Sequence, residues 1–177
     1  MLDCGSFIDY FKEATIRDLS RWNGIVASVV EELVVCDNAC NDTTGISFSS
    51  FEKLKVLKVG DNSFVKVDVL KLIGMKALES VTIGDHCFKG KNLSGIPDHR
   101  FYVKDCEQLK RLLIGYGSFS HCSVFEMENL PSLVTLTIGK RNSFSGNFSY
   151  ASLELKSDCS VLRMMIRLAR FEITSVW

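Results

Sequence analysis

The run LKVLKVGDNSF at residues 54–64 decides the fold. Leu57 and Val59 flank a variable residue, so the middle of the run alternates apolar and polar as a half-buried strand does. Gly60 ends the alternation, and the small Ser63 then precedes Phe64. The same run returns as VEELVVCDNAC at 30–40, LESVTIGDHCF at 78–88, LKRLLIGYGSF at 109–119 and LVTLTIGKRNSF at 133–144. The starts, Val30, Leu54, Leu78, Leu109 and Leu133, are spaced by 24, 24, 31 and 24 residues, one period of 24 with seven extra residues before the fourth copy. A fixed period in the twenties predicts a repeat solenoid. One strand from each copy, stacked on the next, makes a parallel sheet.

Between these runs a second alternation recurs: Ile46, Phe48 and Phe51; Leu70, Leu72 and Met75; Phe101, Val103 and Cys106; Phe125, Met127 and Leu130; then Leu153 and Leu155. It predicts a second short strand per period, with Leu72, Val103, Met127 and Leu155 pointing inward. The fold class is therefore a mainly β solenoid with two parallel sheets of short strands. A single unit cannot bury its own apolar edge, so neighbours must stack to complete the core. Val35, Val59, Ile83, Ile114 and Ile138 then form one internal column, and Phe64, Phe88, Phe119 and Phe144 another, entered by Cys40 in the first copy. Each large side chain so buried contributes about 1.5–3 kcal/mol.

The leading runs resemble the leucine-rich repeat consensus L-x-x-L-x-L-x-x-N-x-L, matched in type throughout residues 54–64 with Asn62, and nearly so over 30–40 with Asn38. The Gly, the small residue and the Phe are similar to the BspA-like type, whose units read I-G-x-x-A-F-x-x-C; Phe119 and Cys122 reproduce that ending. The resemblance implies a solenoid of the kind found in anaerobic protists, working as a protein-interaction module. One column departs from it, with His86 and Gly117 in the Asn position and Asn142 one step late. A continuous Asn ladder is thereby broken, and turn backbone or water must satisfy part of the buried backbone.

Residues 1–29 have another texture. Phe7, Tyr10, Phe11, Ala14, Leu19 and Trp22 recur at mostly helical spacing after Ser6, which predicts an amphipathic helical cap over the open end of the stack. The solenoid then occupies 30–158 as about five units, with an insertion near 90–98 marked by Gly90, Gly95 and Pro97. Residues 159–177 form either a degenerate last coil or a C-terminal cap, and the chain is either whole or a piece of a longer array.

Composition narrows the functional classes. The formal net charge is zero, whereas nonspecific nucleic-acid binding calls for a basic surface. No run of about 20 apolar residues suits a membrane span, and no basic region leading into an apolar one marks a signal peptide. The expected location is cytoplasmic, or the cell surface if the chain is a fragment. On that expectation the sequons at Asn41, Asn92 and Asn147 are chance matches. Seven cysteines, an odd number, suit a reduced interior better than a disulfide scaffold, and Cys36 and Cys40 lack the spacing and the second pair that zinc needs. His86 beside Cys87 and His121 beside Cys122 bring thiol and base together in sequence, but adjacent residues on a strand or turn point apart. With no nucleophile elbow, phosphate loop or zinc-helix motif either, the expectation is a non-enzymatic chain without cofactor, metal or small-molecule substrate.

A protein partner remains. The resemblance implies that it is met on the exposed positions of the leading strands, which are Glu32, Val56, Ser80, Arg111 and Thr135 in one row and Val34, Lys58, Thr82, Leu113 and Thr137 in the next. The glycine column beside them is expected to leave a shallow groove for another backbone. The alternative is a structural or adhesive role as part of a longer BspA-like array.

Overall fold

The computed structural model describes residues 12–18, 20, 25–90, 99–139, 146–147 and 152–156. Among the described residues, ten short strands account for almost all the regular structure: β1 (Glu13–Ile16), β2 (Glu32–Val35), β3 (Val56–Val59), β4 (Val69–Ile73), β5 (Ser80–Ile83), β6 (Arg100–Lys104), β7 (Arg111–Ile114), β8 (Val124–Glu128), β9 (Thr135–Ile138) and β10 (Ser152–Lys156). They form two all-parallel sheets, one ordered β1-β2-β3-β5-β7-β9 and the other β10-β8-β6-β4. From β3 onward, consecutive strands alternate between the sheets, so each strand pairs with the strand two places along the chain.

Register follows the sequence columns. Leu33, Leu57, Val81, Leu112 and Leu136 lie opposite one another, as do Val35, Val59, Ile83, Ile114 and Ile138. All are buried except Ile138, which packs on the core partly covered. In the second sheet Leu70, Phe101 and Phe125 align, and Leu72, Val103 and Met127 align, again buried. Leu155 is in register with Met127 as expected. The apolar period of two therefore points one face of each sheet into a common core, which is what makes the register specific.

The phenylalanine column stacks. Phe64 and Phe88 have ring centroids 5.3 Å apart, and Phe88 and Phe119 are 5.0 Å apart and nearly coplanar in orientation. Phe144 lies outside the described residues. The column also crosses to the second sheet, because Phe119 stacks on Phe101 at 4.5 Å and Phe101 on Phe125 at 5.0 Å. Five rings thus run unbroken between the sheets.

Two expectations are corrected. Residues 13–16 form β1 rather than part of a helix: Glu13, Ala14, Thr15 and Ile16 alternate outward and inward, Ile16 is fully buried, and β1 pairs along its whole length with β2. A short strand satisfies the backbone groups on the open side of β2, which a helix there cannot do. Helical conformation is described at Ser20 and, as one 3-10 turn, at Ala27–Val29; the remainder of the expected cap, and residues 159–177, lie outside the described residues. The stretch around Ile46 and Phe48 is not a strand either, although Phe48 and Phe51 are buried. There Thr43 and Ser47 turn their hydroxyls onto the local backbone at Gly45 and Ser49, and the Phe51 amide bonds the Phe48 carbonyl. Such short-range bonds compete with a sheet ladder.

Because Phe88 is 3 % exposed and stacked between two rings, Phe88→Ala is expected to cost about 3–5 kcal/mol. An unchanged urea midpoint would contradict that burial.

Candidate binding face

The parallel register carries the outward side chains of the six-stranded sheet into two rows. Glu32, Val56, Ser80, Arg111 and Thr135 lie opposite one another, and so do Val34, Lys58, Thr82, Leu113 and Thr137. All ten sequence-chosen residues therefore share one face. Lys58, Arg111 and Thr137 are exposed and the other seven half-buried. β1 lengthens the rows by Glu13 and Thr15, which the sequence did not offer because this stretch carries helix-like spacing as well.

Charge on this face is largely cancelled. Lys58 Nζ sits 2.6 Å from Glu32 Oε1. Just before the strands, Lys55 pairs with Glu31 at 2.6 Å, Lys12 approaches the same carboxylate at 3.8 Å, and Lys110 pairs with Glu79 at 2.9 Å. The hydrogen bond from Lys55 holds the Glu31 carboxyl below its ordinary pKa, with Coulomb attraction from Lys55, Lys12 and Lys53 acting the same way against desolvation. Arg111 differs. Its cross-strand neighbours are Ser80 and Thr135, and its guanidinium has no carboxylate partner among the described residues. Beside it Val134 is 61 % exposed, and Leu113 adds a half-buried aliphatic surface in the next row.

The glycine column does not open a groove. The Asp37 carboxylate fills that space, accepting a hydrogen bond from the Asp61 amide at 2.8 Å; Asp61 does the same for Asp85 at 2.7 Å, and Asp85 for Tyr116 at 2.8 Å. A Cβ on Gly60 would stand 2.3 Å from Asp37 Oδ1, one on Gly84 2.4 Å from Asp61 Oδ1, and one on Gly115 2.4 Å from the Gly84 carbonyl carbon. Glycine is required by the close approach of this same chain, which leaves no room for a foreign backbone.

A second ladder runs beneath it. Ser63 Oγ accepts from the Ala39 amide and donates to the Cys36 carbonyl. Ser118 Oγ likewise accepts from the Cys87 amide and donates to the Gly84 carbonyl, while Cys87 Sγ donates to the Gly60 carbonyl. Buried Asn147 continues the series, accepting from the Gly117 amide and donating to the Gly115 and Ser118 carbonyls. Asn41 similarly accepts from the Val65 amide and donates to the Asn38 and Asn62 carbonyls. Two of the three sequon asparagines thus serve the fold. The sequence signal was the recurrence of Asp and of Ala, Ser or Cys at fixed offsets, visible only as a column and not as a motif.

The thiols and imidazoles are engaged elsewhere. Burial raises the Cys87 thiol to about 11 and the Cys122 thiol to about 12. Cys122 Sγ bonds the Val124 and His99 carbonyls, His121 Nδ1 lies 2.9 Å from the Lys89 carbonyl, and His86 meets the Tyr116 ring edge-on. His99 is buried with Nε2 3.1 Å from Asp68 Oδ1, its ring pressed on Gly90 so that the two ends of the insertion touch. Among the described residues, no cluster of three metal-ligating side chains occurs, and no helix is long and apolar enough to cross a membrane. No protein-family model, curated protein or solved structure matches the chain.

Two measurements check this chemistry. Gly84→Ala is expected to lose about 1–3 kcal/mol, because its Cβ meets the Asp61 carboxylate, itself held by the Asp85 amide, and the Asp61 and Gly60 backbone behind it; an unshifted midpoint would contradict the close approach. In the folded protein near neutral pH, iodoacetamide is expected to modify half-buried Cys36 well before Cys87 or Cys122, which stay protonated and covered until unfolding. Mass spectrometry of the peptides reads the order directly.

Proposed function

We propose that the two sheets are the faces of a leucine-rich repeat solenoid of the BspA-like type, as found in anaerobic protists, and that the chain is a non-enzymatic cytoplasmic module binding a protein through the outer face of the six-stranded sheet. The observation that supports this reading is the alignment of all ten outward residues in two rows on one continuous surface. An open sheet face carrying one cation without a carboxylate partner among the described residues suits a protein surface better than a small molecule, which needs a concave site. Nor does it suit a polyanion, since the other lysines of this face are already paired.

Binding is centred on the β7–β9 end. There Arg111 offers a guanidinium without a carboxylate partner among the described residues, a group that forms bidentate bonds to a carboxylate, and Leu113 and Val134 supply apolar surface nearby. At the β2–β3 end a partner must first displace Glu32 to reach Lys58.

The two cations therefore separate in mutagenesis. Arg111→Glu is expected to weaken a partner identified by crosslinking at least about tenfold, with stability changed by no more than about 0.5 kcal/mol. Lys58→Glu sets a carboxylate against Glu32 and is expected to lower stability more than it lowers binding. Equal affinity of wild type and Arg111→Glu for that partner places the recognition surface elsewhere.

A further inference from the structure

The row that runs through Glu32 and Arg111 carries opposite charges at its two ends. At β7, Arg111 lies between Ser80 and Thr135 and has no carboxylate partner among the described residues. At β1, exposed Glu13 lies directly opposite Glu32, an arrangement of like charges that opposes pairing. Lys58 relieves it only in part: its ammonium is 2.6 Å from Glu32, and Glu13 has no cation partner among the described residues. Because β1, β2, β3, β5 and β7 are successive strands of one sheet, the two charges stand four spacings apart, about 19 Å. Val56 marks the midpoint between them.

We propose, on the reading of this face as a protein-binding surface, that its occupant is a second copy of this chain, related by a twofold axis along β3 with Arg111 of each copy on Glu13 of the other. Charge complementarity chooses both the occupant and the axis. An axis along the strands reverses strand order between two facing sheets, so β7 covers β1 and β3 covers itself. Both unpartnered charges are then answered at once, Val56 meets Val56, and Glu32 meets Ser80 rather than another acid. An axis across the strands sets each strand on its own counterpart and brings neither charge to its opposite. Facing sheets lie about 10 Å apart, a gap that an arginine and a glutamate side chain close together. Lys58 reaches the axis with its charge already held by Glu32, and the Lys55–Glu31 and Lys110–Glu79 pairs are closed within each chain.

Sedimentation of the full chain over the micromolar to millimolar range tests the pairing. Wild type is expected to pass from monomer to dimer as concentration rises, and Glu13→Arg or Arg111→Glu alone to weaken the dimer at least about tenfold. Each single variant is expected to keep its fold, read by circular dichroism, and Glu13→Arg removes the repulsion from Glu32. Should a charge reversal unfold the chain, Glu13→Gln and Arg111→Gln, which only remove the charges, are expected to weaken the dimer in the same direction. An equimolar mixture of Glu13→Arg and Arg111→Glu sets acid on base at both contacts, so it is expected to recover the dimer, as is the double variant on its own. Two copies meeting anywhere else show no such rescue. A chain that stays monomeric throughout overturns the proposal, while loss of a different protein on Arg111→Glu would still uphold the face as a binding surface. A dimer indifferent to both single variants, or folded variants that mixing does not rescue, likewise overturns it.

Discussion

A parallel stack in register sets every residue beside its counterpart in the next strand, and the rest of the molecule answers to that constraint. For apolar columns it is favourable, because Val, Ile, Leu and Phe pack well against themselves. For charged columns it is not, since like charges directly opposite destabilise a sheet. Ahead of the strands the chain alternates sign through Lys12, Glu31, Lys55, Glu79 and Lys110, which turns repulsion into the Lys55–Glu31 and Lys110–Glu79 pairs. The column of Asp37, Asp61 and Asp85 does not alternate. Each of its carboxylates accepts a backbone amide from the following turn instead, so a donor separates successive acids.

The turns show how far packing overrides local preference. Asn38, Asn62, His86 and Gly117 have φ between 53° and 66°, the left-handed region that Asn and Gly tolerate best. This explains why the Asn column admits His and Gly: the backbone conformation is retained and the neighbouring ladders bond the carbonyls. Phe64, Phe88 and Phe119 also have positive φ, between 49° and 56°, which is unfavourable for a bulky residue by roughly 1–2 kcal/mol. Burial of each ring contributes about 1.5–3 kcal/mol, and stacking adds about 0.5–1.5 kcal/mol per pair. The aromatic column wins.

What was legible in the sequence was whatever repeats in register. The inward columns, the two outward rows and the Phe64, Phe88 and Phe119 stack follow from aligning the copies, since an in-register parallel sheet converts a column of letters into a row of side chains. The illegible parts depend on neighbours that alignment does not supply. β1 is four residues whose pattern also fits a helix, and only the exposed backbone of β2 decides between them. The stretch at Ile46 and Phe48 has a strand's alternation but also the hydroxyls that tie it into turns. The glycines were visible, and their cause was not, because Cβ clashes with Asp37 and Asp61 exist only after stacking. For the candidate face, the sequence placed Lys58 and Arg111 as equals, and the Glu32 contact that separates them runs diagonally between rows.

The insertion shows that the period is kept in space rather than along the chain. Contacts that span 24 residues elsewhere span 31 between β5 and β7, yet they are the same contacts: a carboxylate of Asp85 to the amide of Tyr116, a hydroxyl of Ser118 to the amide of Cys87, and Lys110 to Glu79. The extra residues enter where the chain passes from the Phe88 turn toward β6. Gly90 and His99, the described residues on either side of them, meet, with the imidazole held by Asp68 and the His99 carbonyl taking bonds from the Ser123 amide and hydroxyl. Glycine is needed there because the ring occupies the position of a side chain. With these two ends in contact, the chain enters β6 in register with β4, and Phe101 lies opposite Leu70 and within stacking distance of Phe119. A loop can thus lengthen without loss of register so long as its two ends are fixed to the same neighbours as before.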